Sequence, residues 1–167
     1  MIAITGAGKR ELLGKSLSEA LSRVMEERRI YCCQGADQPL PVTDGNDRYT
    51  AAVAALEAAT YEGSAHTPWS ERLFYEELTQ LGRSWWVAHD QGQIIGFAGG
   101  VLAGADFEVE EVVVAAARRR EGIARRLVAR VAYDAQMLGA HTVSLEVDAQ
   151  NAPARALYAA LGLTEEG

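Results

Sequence analysis

A chain of 167 residues suits one domain, or one domain with an extension, and is long enough to bury a sizeable core. Hydrophobic residues make up 49% of it and charged residues 23%, which is the composition of a globular protein and not of a disordered tail. The net charge of −7 argues against a general nucleic-acid binder, whose affinity comes mainly from neutralising phosphates, and the three Trp are not interleaved with basic residues as a base-stacking groove requires.

The only cysteines, Cys32 and Cys33, are neighbours that bridge with difficulty, so the expectation is a reducing, cytoplasmic setting. His66, His89 and His141 lie far apart in sequence and form no metal-ligand spacing, so no metal is expected. The opening MIAIT is too short for a signal core. No apolar run approaches the roughly 18 residues of a membrane span, and a soluble protein follows.

From the start, MIAITGAGKRELLGKSLSEALSRVMEERRIYCC reads as a strand, a Gly turn and a helix, with Leu13, Leu17, Leu21 and Val24 at helical spacing. A phosphate loop does not fit: five residues before Gly14 the Walker pattern needs Gly, and Lys9 stands there. The stretch 35–49, rich in Gly, Pro and Asp, marks a boundary, and QPLPV within it suits a short edge strand. The expected organisation is an N-terminal extension over 1–36 and a domain over 37–167. DRYTAAVAALEAATYEG has the Ala, Leu and Glu content of a helix. TPWSERLFYEELTQLG predicts a second, with Ser70 as N-cap and Gly82 past its end.

SWWVAHDQGQIIGFAGGVLAG predicts two strands joined at Asp90-Gln91-Gly92, and FEVEEVVVAAA a third that ends in Val112, Val113 and Val114. A helix follows, with Ile123, Leu127, Val131 and Leu138 on one stripe and Gly139 at its end. HTVSLEVD alternates, Val143, Leu145 and Val147 on one side, Ser144 and Glu146 on the other. NAPARALYAALG predicts a last helix with Asn151 as N-cap and Gly162 as C-cap. The order indicates an α/β fold, mostly antiparallel early, with one βαβ crossover late.

Between the Val strand and its helix lies RRREGIARRLVAR (118–130), which gathers six Arg, against a single Glu, on an acidic chain. A helix N-terminus leaves about four backbone N–H groups unpaired with roughly half a positive charge. Gly122 and Ala124 present almost no side chain there, so a pyrophosphate fits directly on the amides with Arg residues flanking it. A solvated face, with Arg126 and Arg130 one helical turn apart, fits the same residues about as well.

Arg119-x-x-Gly122-x-Ala124 resembles the Gln/Arg-x-x-Gly-x-Gly/Ala signature of the GNAT acetyltransferase superfamily. LEVDAQNAPARALYAALGL (145–163) is similar to a segment of the RimI-type ribosomal-protein alanine N-acetyltransferases, and AHTPWSERLF (65–74) resembles their AH-x-x-PWSE stretch. The resemblance spans roughly residues 45–163. It implies the GNAT fold, a mixed and mostly antiparallel sheet flanked by helices, and an acetyl-CoA-dependent N-acetyltransferase acting on a protein N-terminus, with a ribosomal protein beginning in Ala as acceptor. A GNAT acting on a small-molecule amine, and a silent coenzyme A-binding module, are the alternatives.

By the same resemblance the backbone of Val112, Val113 and Val114 pairs with the pantetheine arm. The amides of Arg119, Arg120, Glu121, Gly122, Ile123, Ala124 and Arg125 take the pyrophosphate, and Asn151 contacts the cofactor or simply caps its helix. Glu146 is implied as proton acceptor and Tyr158 as donor to the thiolate, although on residues alone Glu146 suits a solvated position and Tyr158 a core one. His66, Trp69 and Glu71 lie where the family's peptide substrate enters. The family continues beyond the point matching Gly167 through two more strands, which are expected to be missing here; either the protein is short or those strands come from another chain or from the N-terminal extension, where nothing obviously replaces them.

Overall fold

Adjacent residues on a strand point to opposite faces, and the pair Trp85 and Trp86 uses this to anchor two separate cores. The computed structural model describes residues 2–7, 30–32, 44–78, 80–91 and 93–166. Among these, seven strands form one sheet: β1 (Ile2–Ala7), β2 (Ile30–Cys32), β3 (Arg83–Asp90), β4 (Gln93–Ala103), β5 (Asp106–Val114), β6 (Thr142–Val147) and β7 (Thr164–Glu166). Their spatial order is β2-β3-β4-β5-β6-β1-β7. Every pairing is antiparallel except β5 with β6, the pair joined by the predicted crossover helix.

The helices are α1 (Asp44–Thr60), α2 (Glu71–Leu78), α3 (Ile123–Met137) and α4 (Ala152–Ala160). Their caps are the expected ones. The Ser70 hydroxyl accepts from the Leu73 amide at 3.2 Å and the Asn151 side chain from the Ala154 amide at 3.2 Å. On one face of the sheet α3 presents Ile123, Leu127, Val128 and Val131 to Trp86, Phe107, Val143 and Leu145. On the other, Val53 of α1 and Phe74 and Leu78 of α2 cover Trp85, Val87, Phe97 and Val113. The first core contains a polar tie. Buried Asp134 of α3 accepts from Ser84 Oγ and Trp86 Nε1, both at 2.7 Å, while the Arg130 guanidinium lies 4.0 Å over the Trp86 ring.

Two expectations change at the N-terminus. Ile30–Cys32, read as the end of a helix, is a strand paired with Trp86–Ala88. The sheet also takes its strand at the β6 edge from the extension: β1 lies between β6 and β7, antiparallel to both, with Ala3 opposite Glu146 on one side and Glu166 on the other. An unpaired β6 edge would leave its N–H and C=O groups without strand partners, and β1 supplies them. The last residues, expected to stop short of any strand, form β7. The helix predicted after residue 8, the rejected phosphate loop and the QPLPV strand lie outside the described residues.

One irregularity positions the site. Gly99 pairs with Glu111 and Gly100 with Val109, so Glu110 is an extra residue on β5, a β-bulge. A Cβ on Gly99 would overlap the Trp85 indole, which is why glycine stands there.

Candidate functional site

The N-terminus of α3 leaves backbone N–H groups open to a ligand. Gly122, its N-cap, is left-handed (φ 75) and no side chain caps the helix. The first helical hydrogen bond runs from the Arg126 amide to the Gly122 carbonyl, so the amides before Arg126 lie beyond the helical ladder. Arg120 is also left-handed (φ 70), a conformation that costs a non-glycine residue energy and turns successive N–H groups into a concavity.

The Arg cluster is less available than its charge suggests. Arg118 is held by Glu121 (2.7 Å) and Asp90 (3.1 Å), Arg126 donates to the Glu121 carbonyl (3.1 Å), and Arg130 is stacked on Trp86. These three brace the turn from within.

Beside this turn the sheet opens. Parallel pairing of β5 with β6 covers Asp106–Val109 against Thr142–Leu145 and goes no further. Val112, Val113 and Val114 pair with β4 on one side and have no strand partner towards β6 among the described residues. A backbone edge left free between two splayed strands suits a strand-like ligand arm. Val113 is buried on the α1–α2 side, while Val112 and Val114 pack against the α3 side. Asn151 caps α4 with its own side chain.

Glu146 lies just past the last β5–β6 pair and is exposed. Its neighbours Leu145 and Val147 face α3, so its carboxylate points to the α1–α2 side. Tyr158 of α4 is 6% exposed in the α3-side core. Burial pushes its hydroxyl up to about 12, and the charges of Tyr61 and Glu111 act in the same direction. Those two residues belong to the α1–α2 face, and their charges act on the hydroxyl from that side.

Three residues that the sequence reading did not single out meet there. Glu111, moved by the bulge onto the α1–α2 face, is pushed up to about 8 by burial, then by Glu57 and Glu110. Glu57 of α1 is fully buried. Burial raises its carboxyl, against the Trp69 amide (3.0 Å) and the His66 ring (3.2 Å) that hydrogen-bond to it. Tyr61, at the end of α1, is raised to about 12 by burial, Glu111 and Glu57. His66 Nε2 also lies 3.9 Å from Glu111, and the His66 ring stacks against Tyr61 with centroids 3.9 Å apart. Trp69 packs on Phe74 and Trp85, a core role; Glu71 is an exposed residue of the first turn of α2. A signal for Glu111 exists in the sequence: Glu110-Glu111 breaks the alternation of FEVEEVVV, which is what a bulge does. Glu57, in an Ala-rich helix, carries no such mark.

An uncapped helix N-terminus with a left-handed glycine beside an open strand edge suits a ligand that carries phosphate and an extended arm. Residues 50–163 match the acetyltransferase (GNAT) family, and the chain belongs to it. It is a GNAT acetyltransferase, and membership implies use of acetyl-CoA.

Among solved structures it is similar to the ribosomal-protein-S18-alanine N-acetyltransferase from Escherichia coli (TM-score 0.61, 23% identity, 77% of each chain covered). An aminoglycoside acetyltransferase from an uncultured soil metagenomic sample, in complex with sisomicin, gives TM-score 0.64 at 14% identity, covering 80% of this chain and 86% of that one. A GNAT-family protein from Novosphingobium aromaticivorans gives TM-score 0.67 at 20% identity, covering 99% of this chain and 59% of that one. No curated protein sequence matches the chain. None of the described helices is long and apolar enough to cross a membrane.

Proposed function

We propose that this acetyltransferase modifies the N-terminal α-amine of a protein, a ribosomal protein beginning in Ala being the acceptor of choice. The observation that carries the reading is the buried Glu111 carboxyl on the open part of β5, raised to about 8, whose charge also acts on the Tyr158 hydroxyl, raised to about 12. An α-amine has a pKa of about 8, so proton transfer from it to Glu111 is nearly balanced in energy, whereas a lysine amine near 10.4 would resist it. The AHTPWSE stretch and the likeness to the S18-alanine enzyme support the same acceptor.

In this reading the amides from Arg119 to Arg125 hold the pyrophosphate, the edge of Val112–Val114 aligns the pantetheine arm, and Asn151 flanks it. Acetyl-CoA, when bound, supplies a thioester carbonyl. Glu111 takes the proton the amine loses as its nitrogen forms the new C–N bond, and Tyr158 hydrogen-bonds the sulfur as the C–S bond breaks. The departing thiolate, whose conjugate acid has a pKa near 8.5, is a weaker base than a phenolate of pKa about 12, so Tyr158 stays protonated and acts as a pre-aimed donor. Glu146, the acceptor implied by resemblance, stands exposed at the mouth of the same opening and competes for the base assignment, through water.

A second reading, acetylation of a small-molecule amine, draws on the fold shared with the aminoglycoside enzyme. Thiol release from acetyl-CoA with an Ala-starting peptide, a polyamine, and no acceptor tests both. Faster turnover with the peptide is expected. Faster turnover with the polyamine overturns the N-terminal reading, and no acceptor-dependent release with either leaves a coenzyme A-binding module.

A further inference from the structure

Glu57, His66 and Glu111 span 54 positions of sequence, yet one ligand atom from each lies within 4.8 Å of the others. We propose that these three residues form a binding site for a borderline divalent cation, of which Zn²⁺ is the type, at the acceptor end of the cleft. Ligands held about 2.1 Å from a tetrahedral ion lie about 3.4 Å from one another. His66 Nε2 stands 3.2 Å from Glu57 and 3.9 Å from Glu111, and the two carboxylates lie within 4.8 Å of each other, so closing on an ion needs shifts of up to about an ångström, within reach of side-chain rotation.

Burial gives a second, independent reason. The Glu57 side chain is 0% exposed and Glu111 6%, and Glu57 Oε2 is buried with no hydrogen-bond partner. Two buried acids facing one another cannot both ionise without a cation, and a divalent ion lets both bind as carboxylates, displacing the proton. The Trp69 amide donates to Glu57 at 3.0 Å and fixes its orientation, as outer-shell donors do for metal ligands. The His66 side chain, 39% exposed, gives the ion a path in from solvent.

One imidazole and two carboxylates suit Zn²⁺ better than Mg²⁺, which prefers an all-oxygen octahedron, and three protein ligands leave a fourth position for water. An ion there draws on the Glu111 lone pair, so it competes with the amine for the site. That consequence rests on Glu111 as proton acceptor; binding of the ion does not.

The test titrates ZnCl₂ by calorimetry, and CoCl₂ by visible absorption, into the Cys32→Ser/Cys33→Ser chain, so that the thiols contribute nothing. One equivalent of Zn²⁺ is expected to bind, Mg²⁺ is not expected to displace it, and Co²⁺ should show the intense bands of tetrahedral coordination. His66→Gln, at a half-exposed side chain, should weaken Zn²⁺ by more than the roughly 10- to 100-fold that outer-shell changes cost, and His141→Gln should leave it unchanged. Glu57→Gln should behave like His66→Gln; if circular dichroism shows it unfolded, His66→Gln decides alone. No Zn²⁺ binding, or equal affinity in His66→Gln, overturns the site and leaves the pair of acids to the substrate ammonium. Binding that does not raise the apparent KM for the amine keeps the metal site and overturns Glu111 as proton acceptor.

Discussion

Glu111 and Glu146 carry the same functional group and differ in surroundings, and that difference is testable. Glu111→Gln keeps the shape of the side chain and removes the base, so kcat/KM should fall about 10²–10⁴-fold. The wild-type rate should rise with pH through about 8, where the Glu111 carboxyl and the substrate α-amine both ionise; Glu111→Gln keeps only the amine's share, so its defect should shrink above pH 8 while that of Tyr158→Phe does not. A pH–rate profile of wild type, Glu111→Gln and Glu146→Gln checks it; such a defect in Glu146→Gln alone returns the role to Glu146. Tyr158→Phe removes one hydroxyl and keeps the ring in its core, so it should stay folded and lose rate at every pH, because the thiolate needs its donor throughout. An undiminished rate makes Tyr158 a core residue only.

The turn into α3 and the helix itself answer to separate tests. Gly122→Asp places a side chain on a left-handed backbone position (φ 75) and a negative charge where the phosphates approach. No atom lies within 4 Å of a Cβ built at Gly122, so packing does not forbid the change, and the expected result is a folded protein with severely weakened acetyl-CoA binding by calorimetry. Asp134→Ala works in the opposite sense. It strands the Ser84 hydroxyl and the Trp86 N–H in the core, at a cost of about 2–5 kcal/mol. The melting temperature should fall by roughly 2–4 °C for each kcal/mol, while acetyl-CoA affinity of the folded fraction stays near wild type. Both helix ends were readable from Gly122 and Gly139, whose positive φ values need glycine. The burial of Asp134 was not, because an Asp one turn from Arg130 reads as a surface ion pair.

For the molecule as a whole, the buried acids make stability depend on pH. Glu111 and Glu110 hold their protons to about 8 and about 7 in the folded state, against 4.5 ordinarily, in both cases chiefly through burial. The folded state therefore binds more protons than the unfolded one between these values. The stability this contributes is fully present below about 4.5 and is lost as pH climbs through 7 and 8. Thermal melts from pH 5 to 9 should show a falling melting temperature, with a shallower fall in Glu111→Gln. The sheet depends equally on its N-terminal strand. Ile4 pairs with Leu145 on one side and Glu165 on the other, so Ile4→Pro removes an amide from an interior strand. A lower melting temperature is expected, and an unchanged one would show that β1 adds nothing to the fold.

The order of elements from α1 to α4, the Ser70 and Asn151 caps and the glycine turn into α3 were all present in the sequence, because each depends on residues within one or two helical turns or on strict alternation. GNAT membership followed from three motifs in order. Tertiary structure decided the rest. Pairing of β1 with β6 joins residues some 140 positions apart, and no local pattern specifies such a partner. The meeting of Glu57, Tyr61, His66 and Glu111 depends on a bulge at Glu110 and the packing of α1 over the sheet. Burial, which raises Glu111 to about 8, is a property of that assembly and of no single residue in it.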